Sequence, residues 1–140
     1  MKILYTGHAT STGGREGKST TSDGVVAVTL TTPKELGGNG AVGTNPEQLF
    51  AVGYSACFLG ALKHVAGKAG VKIPAESTVT GDVGIGARDD QKGFGIEVTL
   101  TITVPGVDKA KVEELVQQAH IVCPYSNATR GNIPVTLTVA

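Results

Sequence analysis

The stretch from Asn45 to Ala69 constrains the fold more than any other part of the chain. Leu49 to Leu62 carries no charge, and its apolar residues fall on nearly every side of a helix. Such a helix is expected to be central and buried. Its start is well marked. Asn45 is a suitable N-cap, Pro46 fits the first helical position, and Gln48 can complete a capping box. The helix is expected to run to about Ala69, with Gly70 ending it. Gly53, Ala56, Cys57, Gly60 and Ala61 line one stripe at three- and four-residue spacing, where small side chains let another backbone come close.

The rest of the chain supplies sheet and a second helix. Ile3 to Thr10 reads as a strand, Thr12 to Gly17 as a glycine-rich turn, and Val25 to Leu30 as the second strand of a hairpin. Pro33 to Thr44 is a glycine-rich loop. Val79, Val83 and Ile85 alternate loosely. Phe94, Ile96, Val98, Leu100, Ile102 and Val104 alternate strictly with small or polar residues, as in a half-buried strand. Ala87 to Gly93 is the loop between these two runs. Asp108 caps a second helix, with Val107 and Val112 placed for a hydrophobic staple. Val112, Leu115, Val116, Ala119 and Cys123 share its inner face, so Cys123 points at the core. Pro124 disfavours helical geometry at Cys123 and stops the helix. A last strand, Ile133 to Val139, completes a single α+β domain over residues 1–140.

Composition excludes several function classes. Lysine plus arginine equals aspartate plus glutamate at 12 each, so nothing argues for nucleic acid, an anionic membrane or an acidic substrate. Met1 to His8 lacks the apolar core and cleavage site of a signal peptide. Leu49 to Leu62 is too short to span a bilayer and is interrupted by Gly53, Ser55 and Gly60. A cytoplasmic protein is expected. In that compartment a permanent disulfide is disfavoured, and a transient catalytic one is the usual exception.

Both cysteines sit at informative places. Cys57 lies on the apolar helix, and Cys123 lies where the second helix ends. Redox chemistry is one reading; a structural disulfide, a metal site and two inert core thiols are the others. The metal reading is poor, because there is no CxxC or HExxH pattern and His8, His64 and His120 are scattered. The glycines around Gly37 to Gly43 form no phosphate-binding loop, since no Lys-Ser or Lys-Thr follows them. Free cysteine is commonly a small buried hydrophobe. A peroxide-reactive thiol and a resolving thiol would nonetheless make a natural pair. Arg15 in its glycine turn is by default solvated, and Glu47 in the first helical turn is by default a favourable helix-dipole charge. Either can instead serve a thiol, because a guanidinium favours thiolate and a carboxylate can hold the guanidinium in a fork.

Three segments carry a resemblance. They are Asn45 through Ala51 with Gly53-Tyr54 and Cys57-Phe58, His120 through Asn132, and Gly13-Gly14-Arg15. Together they resemble the organic hydroperoxide resistance (Ohr) proteins of the Ohr/OsmC superfamily, in order and over nearly the whole chain. Cys123-Pro124-Tyr125-Ser126-Asn127-Ala128-Thr129-Arg130-Gly131-Asn132 favours the Ohr branch over the OsmC branch. Ser55 departs from the pattern, where alanine is expected, and places a hydroxyl near Cys57.

The resemblance implies an OsmC-like fold, with antiparallel sheets packed on central helices in an intertwined homodimer. It implies a thiol peroxidase for organic and fatty-acid hydroperoxides, recycled by dihydrolipoyl groups of a lipoylated protein, with no metal or bound organic cofactor. Cys57 would be the peroxidatic thiol, Cys123 the resolving thiol, and Arg15 and Glu47 the activating pair. Phe50, Tyr54 and Phe58 would line an apolar slot or simply pack the core. The alternatives are an OsmC-like peroxidase that also takes hydrogen peroxide, and a non-enzymatic module of the same fold.

One geometric expectation follows. Glu47 and Cys57 lie about three turns apart on the first helix, ~15 Å along its axis. Arg15 can hardly reach both on one straight helix. Either the helix breaks near Gly53 or a second chain brings Arg15 and Glu47 to Cys57, and the small-residue stripe favours the second chain.

Overall fold

A computed structural model describes all residues, 1–140. The chain separates into two compact units, residues 1–49 and 50–140. In the first, β1 (Ala9–Thr12), β2 (Lys18–Thr21) and β3 (Ala27–Thr29) form an antiparallel sheet in that order. Residues 14–16 make a single 3-10 turn between β1 and β2, and residues 34–36 make another after β3.

This sheet corrects the expected hairpin of Ile3–Thr10 with Val25–Leu30. Residues 1–8 form no strand, and Ile3, Leu4 and Tyr5 are exposed. The tight turn pairs Thr12 with Lys18 and Ala9 with Thr21, which fixes the register on Ala9–Thr12. The strand it pairs with, Lys-Ser-Thr-Thr, has no apolar alternation to announce it. β3 is confined to Ala27–Thr29, and Leu30 continues into a bridge with Thr44.

The helix α1 (Pro46–Lys68) begins in the first unit and runs through the second without a break at Gly53. Asn45 caps it, its Oδ1 accepting from the Gln48 N–H at 2.8 Å. The capping box is not closed, because the Gln48 side chain accepts from the Thr44 hydroxyl instead.

The second unit adds β4 (Thr78–Ala87), β5 (Phe94–Thr103), α2 (Lys109–Val122), α3 (Pro124–Thr129) and β6 (Val135–Val139). Its sheet runs β4-β5-β6. β4 and β5 form the expected antiparallel hairpin, whereas β6 lies parallel to β5. The expectation of purely antiparallel sheets is therefore corrected. Between β5 and β6 the chain crosses over through α2 and α3, which returns it in the same direction.

The core forms where α1, α2 and this sheet meet. Tyr54, Phe58 and Leu62 of α1 are fully buried against Leu100 and Ile102 of β5 and Leu115 of α2. The strict alternation of β5 thus turns Val98, Leu100 and Ile102 inward. Gly81 lets β4 come close to α1, since a methyl there would lie 3.3 Å from the Ala51 carbonyl oxygen. Asp108 caps α2 as expected, accepting from the Lys111 N–H at 3.1 Å.

The expectation that α1 is buried all round fails on one side. Val52, Ala56 and Gly60 are exposed, because the sheet and α2 cover only the opposite face. By length and apolarity alone the whole of α1, 23 residues, is long enough to cross a bilayer, although its uncharged segment Leu49 to Leu62 by itself is not. Its other face is instead the core of the second unit.

Candidate active site

The first unit builds a guanidinium–carboxylate fork. Gly13 and Gly14 adopt φ of +71° and +58°, a region that L side chains rarely occupy. A methyl on Gly17 would lie 1.7 Å from the Thr12 carbonyl oxygen. Only glycine fits this turn, and it presents Arg15 from the 3-10 segment. Arg15 donates from Nη1 to Glu47 Oε2 at 2.8 Å and from Nη2 to Oε1 at 2.7 Å. The geometry is bidentate, so the guanidinium has one orientation rather than a cone of them. Glu47 is the more buried partner, with 12% of its side chain exposed against 37% for Arg15. The hydrogen bonds from Arg15 lower the Glu47 pKa against the opposing effect of burial, and the same bonds raise that of Arg15. Both expected residues are thus brought together, and neither is merely solvated.

The second unit builds a thiol pair. Cys57 is half-buried on α1, and Cys123 is fully buried at the junction of α2 and α3. Their sulfurs lie 3.6 Å apart and are not bonded. Cys123 has φ −67° and ψ +124°, an extended conformation that ends α2 and precedes α3. Pro124 imposes it, as the sequence implies. The same proline then starts α3, a helix the sequence reading missed. Proline at the first helical position was its signal.

Burial raises the Cys57 pKa; the Tyr125 backbone N–H opposes the rise, and Cys123 adds to it. No cationic side chain of this unit is among the groups that move it. Arg130, the other arginine near these helices in sequence, donates to the His120 carbonyl oxygen at 2.7 Å and so caps α2. Burial and Arg130 lower the His120 pKa, and its Nδ1 is buried without a partner.

The three aromatic residues of the expected slot divide. Tyr54 and Phe58 are fully buried core residues, and only Phe50 is partly exposed. Tyr125 was not foreseen. Its ring lies against Phe50 and Tyr54, with centroids 5.8 and 5.6 Å away. No group of three or more His, Cys, Asp or Glu side chains is gathered as a metal site would require.

Residues 37–138 match the OsmC-like protein family. The chain is 60% identical over 139 residues to an organic hydroperoxide resistance protein of Xanthomonas axonopodis pv. citri, covering 99% of this chain and 96% of that one. The chain belongs to the Ohr proteins of this family. Solved structures agree with that placement. The organic hydroperoxide resistance protein OhrB of Bacillus subtilis superposes with a TM-score of 0.91 at 44% identity, covering 99% of this chain and all of that one. One from Elizabethkingia anophelis, crystallised with thiocyanate bound, superposes at 0.92 with 51% identity, covering 100% and 99%. The Ohr resemblance read from the three segments therefore holds across the chain.

Proposed function

We propose that this chain is a cysteine-based peroxidase that reduces organic hydroperoxides to alcohols. The observation that carries the reading is the free Cys57–Cys123 pair, with sulfurs 3.6 Å apart at a helix junction. At that separation a modest approach of the two sulfurs makes a disulfide, which is what a peroxide-reactive thiol and its resolving partner need. The name shared by the relatives, organic hydroperoxide resistance, supplies the substrate class.

In this reading thiolate Cys57 attacks the distal peroxide oxygen, expels the alkoxide and becomes a sulfenic acid. Cys123 condenses with it to a disulfide and releases water. A dithiol then reopens the bridge through a mixed disulfide. A dihydrolipoyl group on a lipoylated protein is the proposed reductant, and no resident metal or cofactor takes part. A cytoplasmic location is part of this proposal, and a transient disulfide between two otherwise free thiols suits such a reducing compartment.

Activation requires a cation, since burial and the neighbouring Cys123 hold the Cys57 thiol up against the Tyr125 N–H. Arg15, fixed by Glu47, is the proposed source; it favours thiolate and the charge that spreads over the peroxide in the transition state. α1 is unbroken, so a homodimer in which a second copy brings Arg15 and Glu47 to Cys57 is the arrangement we favour. The exposed face of Val52, Ala56 and Gly60 supports it, being apolar, small and uncovered in one chain. Full specific activity in a demonstrably monomeric protein would refute the dimeric site.

A coupled assay tests the function. Turnover should be fast with a bulky organic hydroperoxide, slower with hydrogen peroxide, and supported by dihydrolipoamide better than by thioredoxin or glutathione. Equal rates with both peroxides would favour a broader OsmC-like peroxidase. The raised Cys57 pKa is the one observation that favours a non-enzymatic module. A thiol titration of the assembled protein that still finds Cys57 raised and unreactive would establish that reading.

A further inference from the structure

Tyr54 stands one helical turn before Cys57 on α1, and Ser126 stands one turn after Cys123 in α3. The two elements are therefore linked twice, by the sulfur pair and by a set of hydroxyls. Tyr54 Oη lies 2.9 Å from Ser126 Oγ and 3.1 Å from Thr129 Oγ1. Thr129 Oγ1 also donates to the Ser126 carbonyl oxygen at 3.3 Å. One proton assignment satisfies the whole set. The Ser126 hydroxyl donates to Tyr54, Tyr54 donates to Thr129, and Thr129 donates to the Ser126 backbone.

These groups are placed where hydroxyls are costly. Tyr54 and Ser126 are 0% exposed and Thr129 is 4% exposed, inside an otherwise apolar core. A buried hydroxyl without a partner is destabilising, and phenylalanine, alanine and valine would fill the same space without that risk. What a closed ring of hydrogen bonds adds is direction. Apolar packing resists separation but tolerates sliding and rotation, whereas a satisfied network selects one arrangement.

We propose that Tyr54, acting through Ser126 and Thr129, is a positioning residue for the resolving step. The inference rests on the peroxidase reading above. In that step the Cys123 sulfur supplies an electron pair to the sulfenic sulfur of Cys57. The Cys57 S–O bond breaks, and hydroxide leaves with the Cys123 proton as water. The Cys123 sulfur is oxidised and the Cys57 sulfur reduced as the S–S bond forms, so no outside reagent enters. The sulfurs must close from 3.6 Å to about 2.05 Å. The hydroxyl ring holds the short helix that follows Cys123 against the helix that carries Cys57. A misplacement of about 1 Å can slow such a step by ~10²-fold.

Tyr54 does not touch the incoming peroxide in this account, so its removal separates the two steps. In Tyr54→Phe, attack of Cys57 on an organic hydroperoxide should stay within about twofold of wild type. Disulfide formation should slow about 10- to 100-fold, and Cys57 sulfinic acid should accumulate under excess hydroperoxide. Thr129→Val should do the same, whereas Thr129→Ser, which keeps the hydroxyl, should resolve like wild type. Rapid quenching with mass spectrometry reads sulfenic, sulfinic and disulfide forms separately. Ile102→Val, a core change away from the ring, serves as the stability control and should leave the partition unchanged. Wild-type resolution in both Tyr54→Phe and Thr129→Val would overturn the proposal. So would an equal shift in Ile102→Val, which would make the effect one of general stability. If wild type itself forms no Cys57 sulfenic acid, the peroxidase reading fails and the proposal falls with it.

Discussion

Replacing Gly53 by alanine sets two opposed effects of similar size against each other. Gly53 lies inside α1, where alanine is the better helix former by about 1 kcal/mol. The new methyl would lie 2.7 Å from the Tyr125 hydroxyl oxygen and 3.2 and 3.3 Å from two ring carbons. Ordinary carbon contacts begin at about 3.5 Å, so the ring must retreat by roughly 0.8 Å. It is flanked by Phe50 and Tyr54, and displacing a packed group of this kind costs about 1–3 kcal/mol. The net expectation is a destabilisation of about 0–2 kcal/mol. The decisive comparison uses a second background. In Tyr125→Ala the opposing atoms are gone, so Gly53→Ala should now stabilise by up to about 1 kcal/mol. Urea unfolding of the four proteins at one concentration gives the cycle, with an expected coupling of about 1–3 kcal/mol. The same change in both backgrounds would show that Tyr125 does not rest on Gly53.

Cys57→Ser should abolish peroxidase turnover, while Cys123→Ser should consume about one equivalent of hydroperoxide and then overoxidise at Cys57; steady-state rates and product mass spectra check both. Arg15→Ala should lower the second-order rate with an organic hydroperoxide by about 10²–10³. Arg15→Lys should recover little, because a point charge cannot make the fork, and Glu47→Ala should be milder than either. Wild-type rate and wild-type Cys57 pKa in Arg15→Ala would return Arg15 to the role of an ion-pair partner alone. The lowered Glu47 pKa also predicts a pH dependence of stability. Its contribution is complete above the unfolded value of about 4.3 and is lost as pH falls through the lower folded value. Glu47→Gln should therefore flatten the acid side of the stability curve below about pH 4.3, and a curve unchanged by that substitution would contradict the fork.

The strongest patterns in the sequence were the ones that local physics alone decides. The cap at Asn45, the glycine after Ala69, the alternation of β5 and the inner face of α2 each follow from backbone geometry and apolar spacing. β2 was invisible because Lys18–Thr21 is polar and depends on its neighbours for register. The parallel pairing of β6 could not be read either, since strand direction is set by the crossover and not by the strand. α3 was hidden by the strength of Pro124 as a stop signal, although the same residue type also starts helices. At the site, the four residues were legible through the resemblance. Residue types alone left Arg15 solvated by default and the two thiols open between redox chemistry and inert packing. The Arg15–Glu47 fork and the sulfur pair each need a three-dimensional arrangement that residue spacing does not express. The hydroxyls of Tyr54, Ser126 and Thr129 were named in the sequence only as core or motif residues, because nothing in the spacing of positions 54 and 126 says that they meet.

The central claim is that Cys57 reacts with peroxide and Cys123 resolves it. The most direct measurement treats the fully reduced protein with one equivalent of an organic hydroperoxide, quenches at short times, and maps the modified cysteines by mass spectrometry. The account predicts sulfenic acid first on Cys57, followed by an intrachain Cys57–Cys123 disulfide with loss of both free thiols. Sulfenic acid appearing first on Cys123, or a hydroperoxide that is not consumed while both thiols stay reduced, would contradict it.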